Sequence, residues 1–162
     1  MCLSTIVSTA KGRSTKVMTG YKVMNKGYDV YSDNPDIWYG LFYGLSGYKT
    51  NIWYQSGARL KETVYWRSDQ SLYEFDCKQE YELGFHIYPT IEDAKKDRDF
   101  IANCGYKIVK VEYYGVLAKG TEGRMRVSGL GGVSSFLYAE NPQRNVVVAR
   151  HMKIVGEVKD EN

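Results

Sequence analysis

His86 is the residue with the most obvious chemical potential, because imidazole is the side chain whose charge changes near neutral pH. It lies in "GFHIYPT" (84–90), at the end of a strand-like run and just before a helix start, where anions are attracted. A general base or a nucleotide-contacting donor fits that place; a hydrogen-bonded core histidine fits it as well. His151, on a late strand, is a weaker version of the same choice. Cys2 follows the initiator methionine, and removal of Met1 would give it a free amine beside its thiol, the pair an N-terminal nucleophile uses. The ordinary alternative is a small hydrophobe at the start of an edge strand.

Arg124 and Arg126 in "GTEGRMRV" project to one side of a strand, a geometry that can clamp a phosphate or stay solvated. The glycines around them lack the spacing of a phosphate-binding loop and suit turns. Trp38, Tyr39, Phe42, Tyr43, Tyr48, Trp53 and Tyr54 crowd into the glycine-punctuated "DIWYGLFYGLSGYKTNIWY". Rigid amphipathic rings on such a segment have the character of a protein contact surface. Core packing is the competing account for about half of them.

These residues need elements to place them. "GYKVMNKGYDVYS" sets Tyr21 and Val23 against Tyr28 and Val30 across a tight-turn signal, the composition of a hairpin. Residues 33–57 read as a long aromatic loop or as short irregular strands, and glycine-punctuated aromatics fit strands better than a helix. "KETVYWRS" (61–68) and "SLYEFDC" (71–77) form a second hairpin pattern. Thr90 is a ready N-cap for the amide of Asp93, Glu92 and Asp93 complement the helix dipole, and Cys104-Gly105 offers a C-cap. In "YKIVKVEYYGVLAKG" (106–120), Val109, Val111 and Tyr113 share one face, Ile108, Lys110, Glu112 and Tyr114 the other, and Gly115 marks a bulge. A last strand spans 145–155, residues 1–19 supply an edge strand or a flexible start, and 156–162 should fray. The expected fold is α+β, a single domain made of a twisted, mostly antiparallel sheet with one convincing short helix at about 90–103.

Composition sets limits on partners. The chain has 162 residues, a formal net charge of +3, fifteen Tyr and three Trp against five Phe. That charge is scattered, so it does not call for a nucleic-acid partner. No apolar run spans a membrane and no leader pattern opens the sequence, which predicts a cytoplasmic protein. Cys2, Cys77 and Cys104 lack CxxC spacing, so free thiols are expected; no metal or cofactor is implied.

"MC", "GYKVM", "ELGFHIYPTIEDAKK", "YKIVKVEYYGVLAKGTEG" and "VVVARHMKI" resemble, over about half the chain, a group of small uncharacterised accessory proteins of bacteriophages and mobile elements. The resemblance implies a viral accessory protein in the host cytoplasm that binds and inhibits a host protein, in counter-defence, through its aromatic-rich surface. A second reading is a protein that sequesters a nucleotide or signalling molecule, with rings stacking on the base and Lys22, Arg124 or Arg126 neutralising phosphate. A third is an enzyme, with Cys2 as nucleophile or with a remote similarity to the ADP-ribosyltransferase fold. That similarity implies Lys22 or His86 at a dinucleotide and Glu112 or Glu122 polarising a ribose hydroxyl; the family's first-motif Arg and Ser-Thr-Ser are missing from this chain, and neither Glu112 nor Glu122 belongs to a paired Glu-x-Glu.

Overall fold

The computed structural model describes residues 3, 5–26, 37–40, 47–57, 61–66, 77–100, 106–122, 125–128, 135–138 and 144–159. In chain order they form β1 (Thr5–Thr9), β2 (Met18–Lys26), β3 (Ile37–Gly40), β4 (Gly47–Lys49), β5 (Trp53–Gln55), β6 (Lys61–Trp66), β7 (Cys77–Glu82), β8 (Phe85–Ile87), α1 (Ile91–Phe100), β9 (Lys107–Glu122), β10 (Met125–Ser128), β11 (Ser135–Tyr138) and β12 (Arg144–Glu157). About 70% of the described residues lie in strands, and the principal sheet curls into a nearly closed antiparallel barrel. This corrects the expected α+β class: the protein is mostly β, and α1 is a single short brace.

The barrel is built on two long strands. β9 and β12 pair antiparallel along nearly their whole lengths, from Val109↔Glu157 to Glu122↔Arg144. The other edge of β9 takes β2 at one end and β1 at the other. The other edge of β12 takes β8 and β5. Curling then brings distant edges together. Tyr21 of β2 and Tyr88, just past β8, exchange both backbone hydrogen bonds at 2.8 Å. A parallel bridge joins Thr50 to Ile154, and the Asn51 amide donates to the Ile154 carbonyl at 2.8 Å. Asn51 sits at φ 62, a left-handed turn conformation that asparagine tolerates better than most residues. Closure of this kind comes from pairings between residues far apart in sequence, which local alternation does not encode.

Strand composition decides the layers. At one level both sheet faces are covered, so neighbouring residues enter opposite clusters: Val23, Ile108, Val146 and Val148 pack with Tyr81, Tyr88, Leu3 and Ala94 of α1. Met24, Val109, Val147 and Ala149 pack with Trp38, Ile87 and Met152 on the other side. The continuous Val146-Val147-Val148 run follows from that double burial, each side chain contributing about 1.5–3 kcal/mol. Farther along, Val111, Tyr113, Met152 and Ile154 still point into the second cluster, while their alternates no longer meet an apolar layer.

Several local expectations hold. The Asp93 amide donates to Thr90 Oγ1 at 3.2 Å, the expected N-cap, and α1 begins at Ile91. Gly115 has φ 70 but lies in unbroken register between the Ala149↔Val116 and His151↔Tyr114 pairs, so the bulge expected there falls instead at Leu117, between Val116 and Ala118. Others move. β2 runs through Asn25 and Lys26 to pair with Tyr39 and Trp38, so the tight turn expected there is strand instead. β6 pairs with β7, Trp66 facing Cys77, so the second hairpin uses a later partner than 71–76. Nor does the chain fray from 156: β12 reaches Glu157, and Val158 donates to the Ile108 carbonyl at 2.9 Å. The expected strand at 28–30 and the Cys104-Gly105 cap lie outside the described residues. No helix among those residues is long and apolar enough to cross a membrane.

Candidate functional site

β8 delivers His86 to the covered level of the barrel, opposite Val148 of β12. The residue is 7% exposed. Its Nε2 lies 3.0 Å from the Tyr81 hydroxyl, and that same oxygen accepts the Leu3 amide at 3.2 Å. With the other ring nitrogen in a backbone hydrogen bond at Gly84, Nε2 is the acceptor and Tyr81 the donor. Burial, and then the positive charge of Lys22, push the imidazole pKa from 6.5 down to about 3, so the ring is neutral at physiological pH. A general base needs a lone pair within reach of substrate. Here the lone pair is spent on Tyr81, and the network ties the start of the chain to β7 and β8.

Lys22 does reach His86, but by its backbone: Nζ donates to the His86 carbonyl at 2.7 Å. Glu122 is buried at the far end of β9, where the Tyr88 hydroxyl donates to its Oε2 at 3.1 Å and Arg144 faces it across the ladder. Asp93 completes this polar seam. Its carboxylate accepts from the Thr90 hydroxyl at 2.9 Å and from the Asn145 backbone and side-chain nitrogens at 3.3 Å each, pinning α1 to the start of β12. These are partners of structural kind. Glu112 belongs elsewhere. It lies six positions along β9 from Ala118, which is in register with His86 through Val148, a separation of roughly 20 Å. Glu112 and His86 are therefore not brought together as the transferase similarity implies.

The aromatic segment divides in two. Trp38 and Tyr39 are 3% and 7% exposed, Trp38 inside the second cluster with Lys26 Nζ 5.4 Å from its ring center. They are core residues, not contact residues. Tyr48 is half-buried at the barrel seam, edge-on to Tyr54 at 5.0 Å and to Phe85 at 6.0 Å, and burial beside Tyr54 raises its pKa. The Tyr54 oxygen accepts the Lys49 amide at 2.6 Å, which fixes the β4–β5 turn. Trp53 alone of this described group is open, at 40% exposure, with Ile52 beside it also exposed. Phe42, Tyr43, Cys2 and Arg124 lie outside the described residues, as does the side chain of Arg126, whose backbone is in β10.

Around Trp53 the outer face of β9, β12 and β5 carries a ladder of cross-strand neighbours. Lys153 stands opposite both Trp53 and Glu112, and His151 stands opposite both Gln55 and Tyr114. The Tyr114 and His151 rings stack, 4.2 Å apart and 10° from parallel. Trp53 meets Tyr114 edge-on at 5.0 Å. Lys153 Nζ is 5.1 Å from the Trp53 ring center and 2.6 Å from Glu112 Oε2. Partial burial and the neighbouring Arg150 lower the His151 pKa, favouring a neutral ring. Alternation placed Glu112 and Tyr114 on one face of β9, but sequence reasoning assigned Tyr114 no role and gave His151 little weight. Only the β9–β12–β5 register assembles them.

No family model matches the chain, and neither a curated protein nor a solved structure shows significant similarity to it.

Proposed function

We propose that this chain is a binding protein whose contact surface is the open sector of the outer sheet face, formed by Trp53, Tyr114, His151, Lys153, Glu112 and Gln55. One observation carries the reading: an indole is left 40% exposed above a lysine and beside a stacked ring pair, at the level where the outer face meets no apolar layer. Exposed rings at a mixed-charge patch offer contact area with little entropy to lose on binding. The resemblance to phage accessory proteins supplies the setting, capture of a host component so that it is inhibited. Recognition thus moves from the Trp38–Tyr54 segment as a whole to Trp53 and partners from β9 and β12.

The test is a comparative pull-down from bacterial lysate with the wild type and a Trp53→Ala/Tyr114→Ala variant matched in melting temperature. A component retained by the wild type and lost by the variant supports the reading. Equal retention by both proteins, or none by either, removes it. A nucleotide ligand, the second reading from sequence, gains weight from the Tyr114–His151 stack, because parallel rings are the geometry a base extends.

A further inference from the structure

We infer that the open sector binds an unpaired nucleobase joined to a phosphate, the base stacking on Trp53 and the Tyr114–His151 pair and the phosphate neutralised by Lys110 and Lys153. The inference rests on the proposed contact surface and names the chemistry of what it contacts.

Size argues for a small planar group. The rings occupy three adjacent strands, a width of about 10 Å at the usual strand spacing. A stable protein interface covers roughly 800 Å² on each partner. Burial of Trp38 and Tyr39 takes two of the largest rings out of any such area. What remains open suits one or two bases.

Chemistry argues for a base with a phosphate. Every nucleobase has a π face, and rings on a sheet surface stack on it whatever its sequence. The exposed Gln55 amide, across the ladder from His151, can both donate and accept at a base edge. Lys110 is exposed on the same face of β9 as Glu112 and Tyr114. Its neighbour on β12 is Gly156, where an added Cβ would meet nothing within 4 Å, so the floor beside that ammonium is open. Two lysines against the single Glu112 carboxylate leave the patch one positive charge in excess. A phosphate can displace Glu112 from Lys153 or take Lys110 directly.

Titration of the full chain with adenosine, guanosine and uridine monophosphates by calorimetry, and with short labelled single-stranded oligonucleotides by anisotropy, tests this. Inorganic phosphate and duplex DNA serve as controls. Binding of base-bearing ligands is expected, with phosphate alone and duplex much weaker. Trp53→Ala and Tyr114→Ala should each weaken it by about 5- to 150-fold, the worth of one base–ring stack, with Trp53→Phe recovering part of the loss. Lys110→Gln should lower the salt dependence. Binding of monophosphates identifies free nucleotides as the source, and binding of oligonucleotides alone identifies single strands; either upholds the inference. It is overturned if neither ligand binds at about millimolar concentration, far above the range of specific sites. Affinity untouched by either ring variant overturns it too. If the ring variants lose their lysate partner while no nucleotide binds, the ligand class falls and the contact surface stands.

Discussion

Mild acid should destabilise this protein through His86 before the bulk of its carboxylates titrate. In the folded chain the imidazole is held to a pKa of about 3 by burial and the nearby Lys22 charge, against 6.5 for the ordinary residue. Between those values the unfolded chain binds a proton that the folded chain refuses. The proton count of the unfolded state then exceeds that of the native state, so stability rises with pH and is lost as pH falls below 6.5. From pH 7.0 to 5.0 the integrated loss is about 2 kcal/mol, close to the limiting slope of about 1.4 kcal/mol per pH unit once below 6.5. For a chain of this size that lowers the melting temperature by roughly 4–8 °C.

Urea denaturation of the wild type and His86→Gln at the two pH values isolates the effect. The variant should be less stable at pH 7.0, because the Tyr81–His86 hydrogen bond is altered, yet should lose about 2 kcal/mol less on acidification. His151→Gln, at the half-exposed ring, should keep most of the wild-type loss. Equal losses for wild type and His86→Gln would refute the reasoning. If His86→Gln fails to fold, an NMR titration of the wild-type imidazole decides the matter, and a midpoint near 6.5 would refute it equally.

Three substitutions test the packing. Trp38→Ala empties a position 3% exposed in the second cluster and should cost about 3–5 kcal/mol in urea unfolding, whereas Trp53→Ala should stay under about 1 kcal/mol; similar costs at the two would mean that core and surface rings have been misassigned. Gly20→Ala would place a Cβ 2.5 Å from Ile87 Cγ2 and 2.9 Å from the Tyr88 carbonyl oxygen, forcing apart the seam made by Tyr21 and Tyr88. An overpacking loss of about 1–3 kcal/mol is expected, with faster amide exchange at Tyr21 and Tyr88, and unchanged exchange there would count against the seam as a closure point.

What could be read in advance was local. The Thr90 cap needs only a hydroxyl three residues before an amide, and the two faces of β9 follow from alternation within one strand. Gly115 was recognisable as an irregular point of β9 because glycine in a strand interior commonly marks a bulge or a bend, although the extra residue of the ladder is Leu117. What could not be read was pairing at a distance. "NKG" carries a strong turn signal, yet Asn25 and Lys26 remain in β2 because Tyr39 and Trp38 offer ladder partners and Trp38 gains a buried position. The same gap explains the aromatic segment. Trp38 and Trp53 have similar neighbours in sequence, so composition treats them alike, while the barrel seam between them sends one inward and leaves the other outside.

That division follows from where the outer face is covered. α1 and the segment at Leu3 lie against the level of Ile108, Val146 and Val148, and there the sheet is apolar on both sides. One level on, both long strands change phase together. β9 sends Tyr113 and then Val116 to the second cluster, β12 sends Ala149 and then Met152, and Gly115 with its positive φ lies at the break. The bend turns Tyr114 and His151 outward side by side, where they stack on each other instead of entering either cluster. A sheet face needs a reason to carry one exposed and two half-buried ring systems when Thr or Lys would satisfy the ladder and keep the edge soluble. Self-stacking accounts for Tyr114 and His151. It does not account for Trp53, whose edge-on contact and lysine neighbour still leave 40% of the residue in water, and the proposed recognition of a planar group would supply what cross-strand stability does not.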